Sequence, residues 1–251
     1  MDHRALSELK AEHTPDAVAA RIEAGPRPTY VRDFIYGAID GCVTTFASVS
    51  GVIGAELPGA IVLILGLANL LADGFSMAVS NFLGTRAERK SINQARAVEE
   101  SHIARIPEGE RQEIREIFRR KGFEGELLEQ IVEVVTSNRR LWVETMLREE
   151  LGLHLEGPSP VKAALVTFGA FVSIGSVPLL PFALARSVGT EWLDPFLTSC
   201  ILTGIAFFAV GAFKSAAEPG RWFRSGLETL AMGGGAAAVA YLVGAVLKGL
   251  A

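Results

Sequence analysis

The sequence has few cysteines, few charges over long stretches and no excess of basic residues. Only two of its 251 residues are cysteines, Cys42 and Cys200, and both lie in apolar stretches far apart along the chain. Two such residues form neither a disulfide framework nor a thiolate metal site, and we expect both to be small core residues. The formal net charge is −4, and basic and aromatic residues do not alternate. This composition argues against a nucleic-acid-binding protein.

Charge is concentrated in two parts of the chain, residues 1–33 and 85–162, although 21% of all residues are charged. A soluble protein of this length distributes charge along its sequence, because its whole surface meets water. The other stretches stay apolar for about 20 residues or more, which is the length of a membrane-spanning helix. Five segments meet this criterion: 34–55, 59–84, 161–185, 193–213 and 227–247.

The order of these segments predicts an all-α membrane protein with five transmembrane helices. A three-helix cytoplasmic acidic insert, residues 85–160, is predicted between spans 2 and 3, with breaks at Pro107 and Gly122. We expect close helix packing at the many small residues of the spans, and a kink or an end of span 3 at Pro178 and Pro181. The other parts are an N-terminal segment (1–33), transmembrane helices 1 and 2 (34–84) and transmembrane helices 3 to 5 (161–251).

Positive charge predicts the orientation of the chain in its membrane, since cytoplasmic loops carry an excess of lysine and arginine. The basic residues are Arg27 and Arg32 before span 1, Arg86, Arg89 and Lys90 after span 2, and Lys214, Arg221 and Arg224 after span 4. The N-terminus and the acidic insert are therefore expected in the cytoplasm, and the C-terminus outside the cell or in a lumen. A prokaryotic plasma membrane or a vacuolar-type membrane fits this pattern.

Polar residues form a stripe along each of the first two predicted spans. In span 2, Asp73, Met77 and Asn81 follow one another at four-residue spacing, which places them on one helix face. In span 1, Asp40 and Thr44 have the same spacing. A carboxylate within hydrocarbon costs a few kcal/mol and usually marks an ion or proton route. A methionine sulfur adds a soft ligand, which favours a transition metal as the ion.

Each of these residues also has a structural interpretation. Asp40 and Asp73 would hold helices together if they were protonated or paired with other polar groups. Met77 would be an ordinary packing residue, although its position one turn from Asp73 favours a role in transport.

The acidic insert contains two further pairs with metal-ligand spacing. Glu110 and Glu113 lie three residues apart, and Met146 and Glu150 lie four apart, so each pair shares a helix face. Carboxylate oxygen together with methionine sulfur suits a borderline metal such as Fe²⁺. The alternative is that these glutamates belong to solvated helix faces, which are normally rich in glutamate.

A glutamate and a histidine lie three residues apart near the start of the insert. Glu99 and His102 have the spacing found in di-iron carboxylate helix bundles, where two such motifs meet with two further glutamates. Only one such motif occurs in this sequence. A di-iron oxidase is therefore the weaker interpretation.

Several stretches resemble the vacuolar iron transporter family over roughly residues 30–250. The first two spans contribute VRDFIYGAIDGCVTTFASVSGV and LADGFSMAVSNFL. The insert contributes IPEGERQEIREIF and WVETMLREELGLHLEGPSPVKAAL, and span 3 contributes SIGSVPLLPF. The order of elements, two spans followed by an acidic insert and three more spans, is also similar to that family.

This resemblance implies a homodimer that exchanges Fe²⁺ for protons and moves the metal out of the cytosol, an antiporter rather than an enzyme. Asp40 and Met77 would then be pathway ligands, with Asp40 as the proton-coupling group. The implied ligands of the insert are Glu99, Glu110, Glu113, Met146 and Glu150. Two positions depart from the family pattern, since His102 stands where glutamate is common and Leu147 where another acidic ligand is expected.

The function expected from the sequence is a proton-coupled transporter of Fe²⁺, with Mn²⁺, Co²⁺ or Zn²⁺ as further ions and no permanently bound cofactor. Its partners would be metal ions, protons, lipid and a second copy of the chain. The alternative class is a membrane-anchored metal-binding sensor, in which the insert binds ions and the spans only anchor it.

Overall fold

The structure is a computed structural model that describes residues 7, 9–25, 28–188, 194–215 and 221–250. Every regular element within these ranges is helical. The chain divides into two compact units, one formed by Met1–Thr29 and Arg96–Gly157 and the other by Tyr30–Ala95 and Pro158–Ala251.

The larger unit contains the apolar helices. Five helices of the described chain are long and apolar enough to cross a membrane, which confirms the predicted number of spans. The elements are α2 (Val31–Gly54), α3 (Gly59–Arg105), α7 (Pro160–Gly175), a 3₁₀ turn (Val177–Leu179), α8 (Leu180–Val188), α9 (Pro195–Lys214), α10 (Trp222–Leu247) and a final 3₁₀ turn (Lys248–Leu250). Helix α3 continues beyond its apolar part, and its last residues belong to the smaller unit.

Helix α2 packs closely against α7 and α10 through glycines. A Cβ atom on Gly41 would lie 2.5 Å from the backbone oxygen of Phe171 in α7, which is too close for any side chain. Gly54 and Gly244 make equally close approaches at the α2–α10 contact. Such approaches allow extensive dispersion contacts between helices, which replace the hydrophobic drive that is missing in lipid. The small residues of span 1 therefore have the packing role predicted from the sequence.

A tight turn joins α2 to α3. Glu56 has a φ of 55°, and hydrogen bonds from Glu56 N to Ile53 O and from Leu57 N to Val52 O close the end of α2. Glycine usually occupies this left-handed position after a helix. The Glu56 carboxylate forms an ion pair with Lys248, with 2.5 Å between Glu56 Oε1 and Lys248 Nζ. This turn makes α2 and α3 a helical hairpin.

Prolines divide the third span as predicted. Helix α7 ends at Gly175, and Pro178 lies in the 3₁₀ turn that precedes α8. The buried residues around this break include Leu70, Phe171, Leu179 and Phe182, which form one core cluster. Helix α10, in contrast, runs without interruption through its three consecutive glycines.

The smaller unit contains α1 (Pro15–Ala24), the end of α3, and three amphipathic helices. These three are α4 (Pro107–Arg120), α5 (Gly125–Ser137) and α6 (Arg139–Glu149). Leu128, Val132 and Val135 lie on one face of α5 and are buried. On α6, Trp142 and Met146 are likewise buried. Burial of these faces gives the unit an apolar core of its own.

Candidate metal centre

A sharp turn between α3 and α4 brings His102 close to Glu99 and Glu110. Pro107 begins α4, where its missing N–H group costs nothing and its fixed φ suits the first helical position. The preceding residue, Ile106, donates from its backbone N–H to the backbone oxygen of His102 at 2.8 Å. The last turns of α3 therefore lie beside the first turn of α4.

Glu99 and His102 on α3 and Glu110 on α4 form a compact donor cluster. One donor atom from each of the three side chains lies within 4.8 Å of the other two. His102 Nδ1 lies 3.5 Å from Glu110 Oε1. Ligands bonded to one ion at about 2.0–2.2 Å are roughly 3 to 4.4 Å apart. A small movement of these side chains would therefore let all three bind a common cation.

The two carboxylates of this cluster are buried without sufficient partners. Glu110 is 2% exposed and Glu99 is 5% exposed, and His102 remains exposed. Among the described residues, Oε2 of Glu99 and Oε2 of Glu110 have no hydrogen-bond partner. A buried carboxylate that lacks partners costs several kcal/mol, because its hydration has been lost. A bound divalent cation would supply the missing partner to both.

The surroundings of Glu99 and Glu110 favour the protonated, neutral form of these carboxylates. Burial, followed by the charges of Glu113 and Glu99, raises the pKa of Glu110 to about 7. Burial also raises the pKa of Glu99, and His102 partly opposes this effect. Near neutral pH the metal-free cluster therefore keeps a proton that a cation would displace.

Glu113 and Glu150 interact electrostatically with the cluster, and Met146 precedes Glu150 by one helical turn. Burial raises the pKa of Glu150, and the charges of Glu113 and Glu99 raise it further, so these carboxylates are close enough to interact. Met146 is fully buried, and its backbone oxygen accepts from Glu150 N at 3.0 Å. The adjacent Leu147 is also fully buried, which fits its apolar side chain. The ligand role of Met146 stays a prediction.

The larger unit carries a second pair of carboxylates, Asp40 on α2 and Asp73 on α3. They lie the same number of residues from the hairpin turn, counted back from Gly54 and forward from Gly59. At about 1.5 Å per residue, both are roughly 20 Å from the turn along their helices. Their charges are close enough to interact. Both side chains are exposed on the surface of the single chain, in the stretches of the two helices that are apolar enough to cross a membrane.

Hydroxyl and amide groups connect α2 to α3 between this pair and the hairpin turn. The Thr44 hydroxyl donates to the backbone oxygen of Asp40 at 2.9 Å, and the Ser48 hydroxyl donates to that of Thr44 at 3.0 Å. The Asn69 amide donates to the Ser48 hydroxyl at 3.1 Å. The polar stripes of the two helices thus meet at Ser48 and Asn69.

Asn81 forms a polar connection between three helices. Its amide nitrogen donates to Asp33 Oδ1 on α2 at 2.8 Å and to Thr167 Oγ1 on α7 at 2.7 Å. The amide is thus already bonded within the chain, which gives Asn81 a structural role beside the predicted pathway role. Neither Asp33 nor Thr167 was predicted as a functional residue from the sequence. The available signal for Asp33 was its position as an acidic residue in the first turn of a span, with Asn81 on the next span.

Met77 lies one turn from Asp73 and is half-buried. It packs against the core cluster that contains Val49, Leu70 and Phe171. This position fits both interpretations of Met77. As a packing residue it contacts the core, and as a transport residue it lies on the same helix as the exposed Asp73. Its role as a metal ligand stays a prediction.

The fold and the two carboxylate clusters define a class of protein. Five apolar helices make this chain an integral membrane protein, and a buried Glu–His–Glu cluster in the other unit has the donor set of a divalent-metal site.

Comparison with known proteins identifies the family. The VIT family model matches residues 31–245. The chain is 34% identical to the vacuolar iron transporter of Toxoplasma gondii, covering 87% of this chain and 74% of that protein. It is 32% identical to vacuolar iron transporter 1 of Arabidopsis thaliana, covering 87% and 86% of the two chains. For vacuolar iron transporter 1 of rice the identity is 33%, with coverages of 84% and 82%. The chain belongs to the VIT family.

Proposed function

We propose that this protein carries Fe²⁺ out of the cytosol in exchange for protons. The observation that carries the proposal is the pair Asp40 and Asp73, which lie at one depth of two apolar helices and face outward from the chain. Carboxylates facing lipid would cost at least a few kcal/mol each. The names of the relatives, vacuolar iron transporters, support iron as the cargo.

A homodimer would remove these carboxylates from lipid. The exposed side of α2 carries Tyr36 and Asp40, and it continues into the half-buried Thr44. Two copies that meet on this side would enclose two Asp40 carboxylates between them, where water and a cation replace lipid. Closed two-fold symmetry is the commonest arrangement for identical chains. The pathway would then be completed only by the second copy.

The proposed exchange follows from the chemistry of one carboxylate. A deprotonated Asp40 binds Fe²⁺, and the Met77 sulfur on the other helix of the hairpin would favour this ion over hard cations such as Mg²⁺. Protonation of Asp40 from the opposite side weakens this binding and releases the ion. The carboxylate therefore carries either a metal ion or a proton, which couples the two flows.

The cluster around Glu110 would collect metal on the cytoplasmic side before transport. Cytoplasmic placement rests on the basic residues that follow the second and fourth spans. In the insert, Glu99, Glu110, Glu113 and Glu150 would supply oxygen ligands, and His102 a nitrogen ligand. Imidazole suits Fe²⁺, Zn²⁺ and Co²⁺, and carboxylate also accepts Mn²⁺.

A membrane-anchored metal sensor is the second candidate. It is favoured by one observation, since the Glu99–His102–Glu110 cluster is assembled within a single unit of the chain. Such a protein would bind metal without moving it across the membrane.

Metal uptake by proteoliposomes distinguishes the two functions. Purified full-length protein is reconstituted, and entry of Fe²⁺, Mn²⁺, Co²⁺ and Zn²⁺ is followed with a trapped metal-sensitive dye, with and without a pH gradient. We expect Fe²⁺ entry that the pH gradient accelerates. Binding without entry would support the sensor and contradict transport, and entry that ignores the gradient would contradict proton coupling.

A further inference from the structure

A polar cavity lies where α9 ends and α10 begins, within the larger unit. Its volume is about 410 Å³. The lining residues are Lys214, Ser215, Arg221, Arg224, Ser225 and Glu228. None of them belongs to either carboxylate cluster, so the cavity has no part in the proposed transport route.

The described lining of the cavity contains more basic than acidic residues. Three of its lining residues are basic and one is acidic. The acidic residue, Glu228, accepts from Arg224 Nε at 3.2 Å, and both side chains are exposed. An exposed pair of this kind contributes at most about 1 kcal/mol. Arg224 can therefore exchange Glu228 for a stronger anion without a large loss of stability.

The backbone at this cavity also offers hydrogen-bond donors to an anion. Helix α10 starts at Trp222, its first turn contains no acidic residue, and its first backbone N–H groups donate to no side chain of the N-cap residue. The first N–H groups of a helix have no partner within the helix and carry a partial positive charge. Helix N-termini of this kind bind phosphate groups.

A buried hydroxyl without a partner points to a ligand here. Ser225 is only 7% exposed, and its Oγ has no hydrogen-bond partner among the described residues. The backbone N–H of Ser225 is already used, since it donates to Arg221 O at 3.0 Å. A buried hydroxyl that makes no hydrogen bond costs about 1–3 kcal/mol. An oxyanion in the cavity would accept from this group.

The surroundings of the cavity are those of a membrane surface. Both flanking helices are long and apolar enough to span the bilayer, so their joined ends lie at the boundary with water in either orientation. Phe208, Trp222 and Phe223 form a ring cluster beside it, with centroid distances of 5.6–6.1 Å. Trp222 and Phe223 are half exposed. Aromatic residues at this depth are typical of the lipid headgroup region.

We propose that this cavity binds the phosphodiester headgroup of an anionic phospholipid. Lys214 and Arg224 attract the charge, and the Ser225 hydroxyl and the start of α10 donate to the phosphate oxygens. Basic pockets between transmembrane helices bind such headgroups in other membrane proteins. Free phosphate shares this chemistry, but it lacks the acyl chains that the exposed Trp222 and Phe223 would contact.

Native mass spectrometry of the full-length protein in a neutral detergent tests the proposal. The number of bound lipids is measured with phosphatidylglycerol and with phosphatidylcholine, and inorganic phosphate is added as a competitor. We expect phosphatidylglycerol to bind more tightly than phosphatidylcholine, and inorganic phosphate not to displace it. Equal binding of both lipids would overturn the proposal. Displacement by phosphate would assign the cavity to a free anion and would also overturn it.

Two double variants separate the cavity from general attraction of charge. Lys214→Gln with Arg224→Gln should weaken phosphatidylglycerol binding by roughly 30-fold, from the usual contribution of two basic residues near a membrane. The control, Arg86→Gln with Lys162→Gln, removes the same charge from other helices and should leave the binding nearly unchanged. Equal losses in the two variants would contradict a defined site.

A single substitution tests the cavity without removing a basic residue. Glu228→Gln removes the negative charge that competes for Arg224 and keeps the shape of the side chain. We expect this variant to fold normally and to bind phosphatidylglycerol more tightly than the unchanged protein. Unchanged or weaker binding would show that Arg224 does not face the lipid phosphate and would overturn the proposed contact.

Discussion

The two carboxylate clusters of this protein differ in how completely one chain builds them. Around Glu110 the two carboxylates are buried, the donors belong to two helices joined by a tight turn, and all lie within one compact unit. Around Asp40 the carboxylates are exposed on apolar helices. The carboxylates of the first cluster are buried, as in a binding site. Those of the second are exposed, as on a surface that contacts another chain or water.

This difference suggests a division of labour between binding and movement. A site that must hold a cation gains from burial, because the electrostatic attraction is stronger where water is excluded. A site that must release its cation gains from access, since a proton has to reach the same carboxylate. We therefore expect substitutions in the two clusters to separate metal binding from metal flux.

Asp40→Asn should have the largest effect on flux. The variant keeps the shape of the side chain and loses the charge that binds metal and proton. Loss of an outer-shell partner alone costs metal sites about 10–100-fold, so we expect at least a 100-fold loss of Fe²⁺ uptake in proteoliposomes. Metal binding by the cluster around Glu110 should persist. Glu56→Gln, which alters an exposed carboxylate in the hairpin turn, is the control, and normal uptake by Asp40→Asn would refute the assigned route.

Glu110→Gln should have the opposite pattern. It removes the most buried candidate ligand of the smaller unit, and we expect metal affinity measured by calorimetry to fall by about 10–100-fold. Fe²⁺ uptake should be slowed rather than abolished, because Asp40 is unchanged. Glu108→Gln lies on the same helix and is exposed, so it should alter neither quantity. Complete loss of uptake in Glu110→Gln would mean that the two clusters cannot be separated.

The metal-free protein should lose stability as pH rises toward neutrality. The folded pKa of Glu110, about 7, lies above its usual value of 4.5, so the folded state holds a proton that the unfolded state has lost. The stability conferred by this proton is complete below pH 4.5 and disappears as pH rises through about 7. The effect is on the order of a few kcal/mol at most.

Thermal unfolding of the metal-free protein across this pH range provides the measurement. Glu110→Gln cannot ionise, and its unfolding midpoint should fall less with rising pH than that of the unchanged protein. Added metal should restore the stability of the unchanged protein near neutral pH. Identical pH profiles for the two proteins would contradict a buried, protonated Glu110.

Met77→Leu should have the smallest effect of this series. Leucine conserves the volume of methionine, so the core contacts of this residue should survive. Loss of the soft sulfur ligand should lower Fe²⁺ uptake by roughly fivefold and leave Mn²⁺ uptake less affected. Competition between the two ions in proteoliposomes measures this ratio. An unchanged ratio would leave Met77 as a packing residue only.

The sequence predicts the helices of this protein better than the contacts between them. Long apolar runs identify the five spans, and Pro107 and Pro178 mark breaks that the structure contains. Spacing also places Asp73 and Met77 one turn apart on the same helix. These features are local, because they depend on helix geometry and on the restrictions of proline.

Contacts between distant residues were not predictable from spacing. Asn81 bonds to Asp33 and Thr167, which depends on how three helices are rotated about their axes. The pairing of His102 with Glu110 depends likewise on the path of the turn between α3 and α4. Periodicity identifies the residues that share a face, but not the face of the next helix that they meet.

Labelling of a cysteine at position 40 tests the central claim most directly. In a Cys42→Ala, Cys200→Ala background, Asp40→Cys is reconstituted in liposomes and treated with a charged, water-soluble thiol reagent. Ile205→Cys, at an exposed apolar position of α9, is the control for a side chain that faces lipid. If Asp40 lines a wet route for cations, position 40 should react with the charged reagent and position 205 only with a lipophilic maleimide. Reaction of position 40 with the lipophilic reagent alone, or with neither, would contradict the account.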